Sequence, residues 1–238
     1  MQLQQLYSKV RQAIDCYAMI EAGDRIALGV SGGKDSLALL YALAGIRKFY
    51  PKSFELVAIT VNLGYGDNYN RVRDLSESLG VEYYEVNTDI AERVTEGGCS
   101  LCARLRKGAL TDMAGRLNCN SIAYAHNMDD VVETMLLSLI YEGRFSSFWP
   151  VTHYEDRGIK LIRPLVFTSQ AQVKGFANKY KLPIVENGCP YNRESERAYV
   201  RGLLETINKH APGVKNRMMT AITDGTIGEW TKNVDFQK

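Results

Sequence analysis

The sequence lacks a long apolar run, an excess of charge of either sign and an even number of cysteines. No hydrophobic stretch approaches the roughly 18 apolar residues that a membrane-spanning helix needs. The first 24 residues alternate polar and apolar side chains, without the apolar block of a signal peptide. We therefore expect a globular, cytoplasmic protein that does not associate with membranes.

The near-balance of charge leaves open what the protein binds. The chain has 29 Lys and Arg against 27 Asp and Glu, a net charge of +2. This total neither requires nor excludes nucleic acid, because a local basic patch matters more than the sum. The odd number of cysteines argues against a disulfide framework in a cytosolic chain and favours metal binding or reactive thiols. The five are Cys16, Cys99, Cys102, Cys119 and Cys189.

Short apolar segments alternate with helical stretches along the first two thirds of the chain. The predicted strands are residues 25–30, 54–61, 81–86 and 121–125. The predicted helices between and after them are about 36–49, 68–79, 102–117 and 129–141. This alternation predicts an α/β protein with a doubly wound, mostly parallel sheet covered by helices on both faces.

The two ends of the chain depart from this alternation. An amphipathic helix is predicted over residues 3–21. After residue 165 we expect helices at 169–180, 193–208 and 212–222, with a short extended piece at 182–185. We therefore divide the chain into an N-terminal helix (1–24), an α/β domain (25–165) and a mostly helical C-terminal extension (166–238).

A glycine-containing loop, Ser31-Gly32-Gly33-Lys34-Asp35-Ser36, links the first predicted strand to the next helix. Glycines allow backbone N–H groups to point at an anion, and the helix N-terminus favours the same negative charge. The spacing fits neither a Walker loop nor a dinucleotide-binding Gly-x-Gly-x-x-Gly. A glycine turn with a solvated Lys-Asp pair is the alternative without a ligand.

This string resembles the PP-loop of the ATP pyrophosphatase superfamily, whose members transfer AMP from ATP to an oxygen and release pyrophosphate. The resemblance makes residues 25–165 an ATP-binding domain. It implies phosphate contacts from the loop residues Ser31, Gly32, Gly33, Lys34 and Ser36. It also implies that Asp35 helps to place Mg²⁺, and that adenine meets the backbone at Val61 and Asn62.

A second polar segment, His126-Asn127-Met128-Asp129-Asp130, follows the fourth predicted strand. In a parallel sheet its start lies at the same edge as the phosphate loop. Asn127 or Asp129 suits a helix cap, whereas a carboxylate there, for which we favour Asp130, can hold Mg²⁺ between phosphates. His126 suits either a buried structural histidine or a contact to the nucleotide or the activated oxygen.

Three of the cysteines are candidates for one metal site. Cys99 and Cys102 form Cys-x-x-Cys ahead of a predicted helix, and Cys189 offers a third sulfur. Cys-x-x-Cys is also the spacing of a redox dithiol. A Cys₃His zinc site that includes His153 or His210 is another alternative. Cys16 and Cys119 are interpreted as small buried hydrophobic residues.

The segment Cys99-Ser-Leu-Cys102-Ala-Arg-Leu-Arg-Lys-Gly resembles the tRNA 2-thiocytidine synthetase family of PP-loop enzymes. That resemblance implies a [4Fe-4S] cluster bound by Cys99, Cys102 and Cys189. It also implies that the incoming sulfur is carried either by this cluster or by a persulfide on Cys102 or Cys189. One departure is Glu186, which stands where many relatives have another cysteine.

Basic and aromatic side chains offer two candidate RNA surfaces. One is a set of cations on predicted helices: Arg104, Arg106, Lys107, Arg193, Arg197 and Arg201. These can neutralise phosphates, although interleaved glutamates equally suit a solvated helix. The other is Phe145, Phe148 and Trp149, which suit stacking on a base or packing in the core.

The resemblances imply ATP-dependent thiolation of a tRNA pyrimidine, with cytidine to 2-thiocytidine as the favoured conversion. Lys34, Asp35, Asp130, Cys102 and Cys189 would then be the catalytic residues, with ATP, Mg²⁺ and the cluster as cofactors. The partners implied are tRNA and a sulfur donor such as a cysteine desulfurase or free sulfide; a homodimer is compatible with the sequence. The alternatives are a PP-loop ligase or small-molecule sulfurtransferase that does not act on tRNA, and a non-enzymatic nucleotide sensor.

Overall fold

A computed structural model of the protein describes residues 1–94, 98–154, 158–185, 188–189 and 196–225. The chain forms two compact units. The first comprises Met1–Met128 and Trp149–Glu194, and the second Asp129–Phe148 and Ser195–Lys238. The boundaries placed at residues 24 and 165 from the sequence stay predictions.

The first unit is built around a six-stranded sheet in the order β3-β2-β1-β4-β6-β5. Its strands are β1 (Asp24–Gly29), β2 (Phe54–Asn62), β3 (Glu82–Asn87), β4 (Ser121–Ala123), β5 (Val151–Tyr154) and β6 (Ile159–Ile162). All neighbouring strands run parallel except β5, which pairs antiparallel with β6 at the edge. The predicted α/β class with a mostly parallel, doubly wound sheet is confirmed.

Helices cover both faces of this sheet. The helices of this unit are α1 (Leu3–Cys16), α2 (Lys34–Ile46), α3 (Asn70–Ser78), α4 (Ile90–Arg93), α5 (Cys99–Arg116) and α7 (Gln170–Lys179). On one side α2 packs between α1 and α7. On the other side α5 packs on β2, β3 and β4, where Leu110 and Ala114 join Ala27, Val57 and Ile59 in one apolar cluster. The central strands are therefore buried on both faces.

The first helix is shorter than the sequence predicted. It ends at Cys16 rather than near residue 21, and Ala18 takes a φ of 46°, a left-handed conformation that a continuing α-helix excludes. Met19 and Ile20, which fall within the predicted range, are buried in the non-helical segment that follows. Cys16 is exposed, so its interpretation as a buried residue was wrong, whereas Cys119 is buried as predicted.

The β5–β6 hairpin was not predicted. Each strand has four residues, and β5 carries the polar Thr152 and His153, so neither forms a long apolar run. The burial of Ile159, Leu161 and Ile162 arises from the parallel pairing of β6 with β4, which links distant parts of the chain. The extended piece at 182–185 belongs to none of the six strands described.

The second unit is helical in its described part. It contains α8 (Glu196–His210), α9 (Val214–Asp224) and nearly all of α6 (Met128–Glu142). The predicted helices at 193–208 and 212–222 correspond to α8 and α9; Glu186 and Arg193 lie outside the described residues. Among the helices described in either unit, none has the length and apolar character to cross a bilayer.

Candidate functional site

The phosphate loop joins β1 to α2 and is stabilised by its own serines. Ser36 donates its hydroxyl to the carbonyl of Gly33 at 2.9 Å and accepts the backbone N–H of Ser31 at 3.2 Å. The helix begins at Lys34 with Gly33 as its N-cap, and a glycine has no side chain with which to cap the first N–H groups. The first turn of α2 therefore presents N–H groups suited to an anion.

Gly32 is the loop position where only glycine fits. Its φ is +76°, and a Cβ there would lie 2.8 Å from the Cβ of Val185. The backbone N–H of Val185 donates to the carbonyl of Gly32 at 3.0 Å. Three residues on, the N–H of Gly188 donates to Asp67 Oδ1, in the β2–α3 connection, at 3.2 Å. The segment after α7 thus folds back over the carboxyl edge of the sheet.

A cavity of about 410 Å³ opens beside this loop, entirely within the first unit. Six residues predicted for the site line it: Ser31, Gly33, Asp35, Ser36, Val61 and His126. Asn62 is not among the lining residues; its amide donates to Glu85 and its Oδ1 accepts the N–H of Gly64. Arg106 and Lys107, predicted as RNA-contacting cations, also line it; the other lining side chains that sequence reasoning missed are Tyr69, Tyr124, Tyr154 and Arg163.

Asp35 presents a carboxylate at the cavity wall. Its Oδ2 lies 2.6 Å from Lys34 Nζ, and its Oδ1 accepts the Asn127 amide at 3.0 Å. Asn127 follows β4, so this bond joins the loops after two adjacent parallel strands. Mg²⁺ in ATP-using sites takes one or two carboxylates and completes its shell with phosphate oxygens and water. The Asp35 carboxylate fits one such ligand position.

His126 is held by a buried arginine. Arg163, 8% exposed, donates from Nε to His126 Nδ1 at 3.3 Å and from Nη1 to the Trp149 carbonyl at 2.5 Å. Burial lowers the pKa of this guanidinium, with Tyr154 and Tyr124 opposing the shift. A guanidinium only donates hydrogen bonds, so Nδ1 must carry the lone pair and Nε2 the proton. His126 is therefore set to act as an Nε2–H donor at the cavity.

The three predicted cluster cysteines occur in one neighbourhood of the first unit. Cys99 and Cys102 lie in the first turn of α5, and all three thiols are free. Burial raises the pKa of the Cys102 thiol; Arg106 opposes this, and the thiols of Cys189 and Cys99 add to it. The Cys102 thiol thus interacts electrostatically with both other thiols. The fold-back at Gly188 brings the neighbouring Cys189 into this region.

Within the described residues, no three or more His, Cys, Asp or Glu side chains form a set that could hold a single metal ion. A zinc ion with Zn–S bonds of about 2.3 Å needs its thiolates close together. In an iron–sulfur cluster each thiolate binds a different iron, so the sulfurs stand further apart. The described residues therefore give no support to a Cys₃His zinc site, whereas three free thiols are the type of ligand that an iron–sulfur cluster uses.

In the second unit, two arginines hold a buried glutamate. Glu133, whose side chain is 1% exposed, accepts from Arg201 at 2.9 and 3.2 Å and from Arg197 at 3.4 Å. The hydrogen bond to Glu133 raises the pKa of Arg201. Arg197 also lies 3.9 Å from Asp130, the residue favoured for Mg²⁺. The sequence left open whether these two arginines bind RNA phosphates or lie on a solvated helix. In the structure both bind the buried carboxylate of Glu133 while remaining partly exposed.

We expect the double variant Arg197→Ala, Arg201→Ala to lose about 3–5 kcal/mol of stability, because it leaves a buried carboxylate without its cations. Glu133→Gln should cost less, since it removes the buried charge. Lys209→Ala, an exposed cation on the same helix, should change stability by no more than about 0.5 kcal/mol. Urea unfolding followed by circular dichroism measures all three; equal stability of the double variant and Lys209→Ala would show that Glu133 does not need its partners.

The aromatic residues after α6 are not core residues as a group. Phe145 is 46% exposed and Trp149 74% exposed, so the interpretation as core packing was wrong for both. Phe148 is half-buried. Stacking of a base on these rings stays a prediction.

Comparison with known proteins identifies the family. A family model described as a PP-loop domain matches residues 2–207. A tRNA-cytidine(32) 2-sulfurtransferase of Pelobacter propionicus is 36% identical over 90% of this chain and 83% of its own length. One from Geobacter sulfurreducens is 34% identical over 91% of this chain and 89% of its own.

Among solved structures, the U34-tRNA thiolase NcsA from Methanococcus maripaludis, described with its [4Fe-4S] cluster, superposes with a TM-score of 0.76 at 28% identity. The match covers 93% of this chain and 77% of that one. The phosphate loop, the cavity beside it and the thiols on α5 thus occur in a chain whose sequence and fold both match thiolating enzymes. The chain belongs to the PP-loop domain family and to the same protein family as the tRNA-cytidine 2-sulfurtransferases.

Proposed function

We propose that the protein is an ATP-dependent tRNA thiolase that converts a cytidine to 2-thiocytidine. The observation that carries this proposal is the position of α5. Its first turn bears Cys99 and Cys102, and its next residues, Ala103, Arg106 and Lys107, line the cavity beside the phosphate loop. One helical turn is about 5.4 Å, so a sulfur held at these thiols lies near a nucleotide in the cavity.

The proposed reaction has two steps, adenylation of the base and replacement of AMP by sulfur. The ring oxygen at C2 attacks the α-phosphorus of ATP, pyrophosphate leaves, and the oxygen becomes part of an AMP leaving group. Sulfide then adds to C2 and the C2–O bond breaks, releasing AMP, with no change in oxidation state. The poor leaving ability of a carbonyl oxygen is the reason that ATP is needed.

The chain's own residues serve the first step. N–H groups of Gly32 and Gly33 and the first turn of α2 would bind the phosphates, and Lys34 would stabilise the charge that develops on pyrophosphate. Asp35 would hold Mg²⁺ against the phosphate oxygens; Asp130 remains a sequence-based candidate for the same ion. His126 would donate its Nε2–H to the phosphate or to the activated oxygen. Val61 would contact the adenine.

Cys99, Cys102 and Cys189 would hold the [4Fe-4S] cluster and serve the second step. Three protein thiolates leave one iron of such a cluster without a protein ligand, and this iron is where the cluster would supply sulfur. The sulfur donor, a cysteine desulfurase or free sulfide, and a homodimeric assembly also belong to the proposal.

Anaerobic incubation of the iron-loaded protein with ATP, Mg²⁺, sulfide and a tRNA transcript tests this function. We expect one AMP and one pyrophosphate for each thiolated nucleoside, with all three products dependent on tRNA. Pyrophosphate release without tRNA would instead indicate a ligase or small-molecule sulfurtransferase. Nucleotide binding with no pyrophosphate under any condition would indicate a sensor.

A further inference from the structure

The cavity beside the phosphate loop has two chemically different sides. The sheet order β2-β1-β4-β6 places the loop after β1 at the centre. Toward β2 the lining is uncharged, with Ile59, Val61, Leu63 and Tyr69. Toward β4 and β6 it is aromatic and basic. We call this second side the basic lobe; its residues are Arg106, Lys107, Tyr124, His126, Tyr154 and Arg163.

The position of the basic lobe suits a second substrate. In an open α/β sheet, ligands bind outside the carboxyl ends of the strands where the strand order reverses. Here β2 and β3 lie on one side of β1, whereas β4 lies on the other, so the reversal falls between β1 and β4. Adenosine in the uncharged side would leave the basic lobe open to the group that attacks the α-phosphate.

Three aromatic rings, those of Tyr124, His126 and Tyr154, line the lobe. Tyr124 and His126 have ring centroids 5.6 Å apart at an interplanar angle of 34°. Burial raises the pKa of Tyr124 to about 12, so its ring is neutral at physiological pH. Tyr154 lies at the end of β5, half-buried. Unstacked bases of single-stranded RNA bind to such rings by stacking.

Two of the lobe's three Arg and Lys side chains, Lys107 and Arg106, lie at its exposed rim, whereas Arg163 is buried. Lys107 Nζ is 2.6 Å from the Tyr154 hydroxyl and 4.3 Å from the centroid of its ring. Lys107 and Arg106 are both exposed on α5. A cation beside an aromatic ring is the pairing that binds a base together with its backbone phosphate. A site for a nucleotide within an RNA chain has to bind both the base and the phosphate, whereas a site for a free base has no phosphate to bind.

We propose that the basic lobe is the subsite for the RNA nucleotide that is thiolated, with Tyr124 and Tyr154 stacking on its base and Lys107 and Arg106 binding its phosphate. The inference rests on the proposed function and assigns residues to its second substrate. Under this proposal Tyr124 and Tyr154 take the place of Phe145 and Trp149 as the residues that stack on this nucleotide. Phe145 belongs to the second unit and Trp149 to the first.

Three variants test the subsite. Tyr154→Leu removes the ring and should raise the KM for tRNA about 5- to 150-fold, the loss typical of one base-stacking contact. Tyr154→Phe retains the ring and should lose clearly less. Lys107→Ala should weaken tRNA binding and reduce the slope of log affinity against log salt by about 0.7–1, as expected when one phosphate contact is lost.

The control is Arg116→Ala, which removes an exposed cation from the last turn of the same helix, outside the cavity. It should match the wild type. The affinity of each variant for α,β-methylene ATP, measured by calorimetry, reports separately on the ATP side and on folding, and should stay within about twofold of the wild type.

Two results would overturn the subsite: variants that bind and thiolate tRNA like Arg116→Ala, or variants that lose the ATP analogue as strongly as tRNA. The second would assign the lobe to ATP. Both are distinct from a failure of the proposed function itself, in which the wild-type protein would not thiolate tRNA.

Discussion

Alanine at Lys34 or Asp35 should reduce pyrophosphate release by about 10²- to 10³-fold, the loss found when one preorganised stabilising group is removed from an active site. The Lys34→Ala variant would lack the positive charge that stabilises the departing pyrophosphate. The Asp35→Ala variant would lack the carboxylate that holds Mg²⁺ and that accepts a hydrogen bond from the Asn127 amide at 3.0 Å. Both side chains lie in the first turn of α2, three-quarters buried but outside the apolar core, so we expect the fold to persist.

Two controls separate catalysis from folding. Lys48→Ala removes an exposed lysine just after α2 and should leave the rate unchanged. Asp35→Asn keeps an oxygen for Asn127 but removes the charge, and should be nearly as slow as Asp35→Ala if the carboxylate binds Mg²⁺. Wild-type rates in the Lys34 and Asp35 alanine variants would refute adenylation at this loop.

The second large effect concerns iron. Each of Cys99→Ala, Cys102→Ala and Cys189→Ala should lose most of its iron and form no 2-thiocytidine, because a cluster site cut from three thiolates to two holds iron poorly. ATP binding should persist in all three variants, since the phosphate loop uses other residues. The iron content of protein purified without oxygen, and its absorbance at about 400 nm, measure the result.

The two remaining cysteines provide matched controls. Cys16 is exposed on α1, and Cys119 is buried before β4 in the apolar cluster under α5. Their alanine variants should keep their iron, apart from any loss of stability at Cys119. A full iron content in the Cys189→Ala protein would show that Cys189 is not a ligand and would contradict the shared cluster.

Sequence alone predicted the features that are encoded locally. The phosphate loop could be placed because its glycines lie between an apolar strand and a helix, and the parallel sheet because its central strands are apolar on both faces. The same local signals failed at the β5–β6 hairpin, whose four-residue strands are too short to show a period. They also failed at Ala18, whose positive φ ends α1 early.

The composition of the site depends on long-range contacts that spacing does not reveal. Cys189 approaches Cys102, 87 residues earlier in the chain, through a fold-back fixed by the hydrogen bond from Val185 to Gly32. Tyr124, Tyr154 and Arg163 reach one cavity from three different strands or strand ends. The arginines of α8 showed a helical stripe, but only the buried carboxylate of Glu133 explains what Arg197 and Arg201 bind.

The most direct test of the central claim is nucleoside analysis of tRNA from a strain that lacks this gene. Mass spectrometry of digested tRNA should show 2-thiocytidine in the parent strain and none in the deletion strain. A plasmid copy of the wild-type gene should restore it, and a copy carrying Lys34→Ala or Cys102→Ala should not. Unchanged 2-thiocytidine in the deletion strain would contradict the assignment of this chain as its tRNA thiolase.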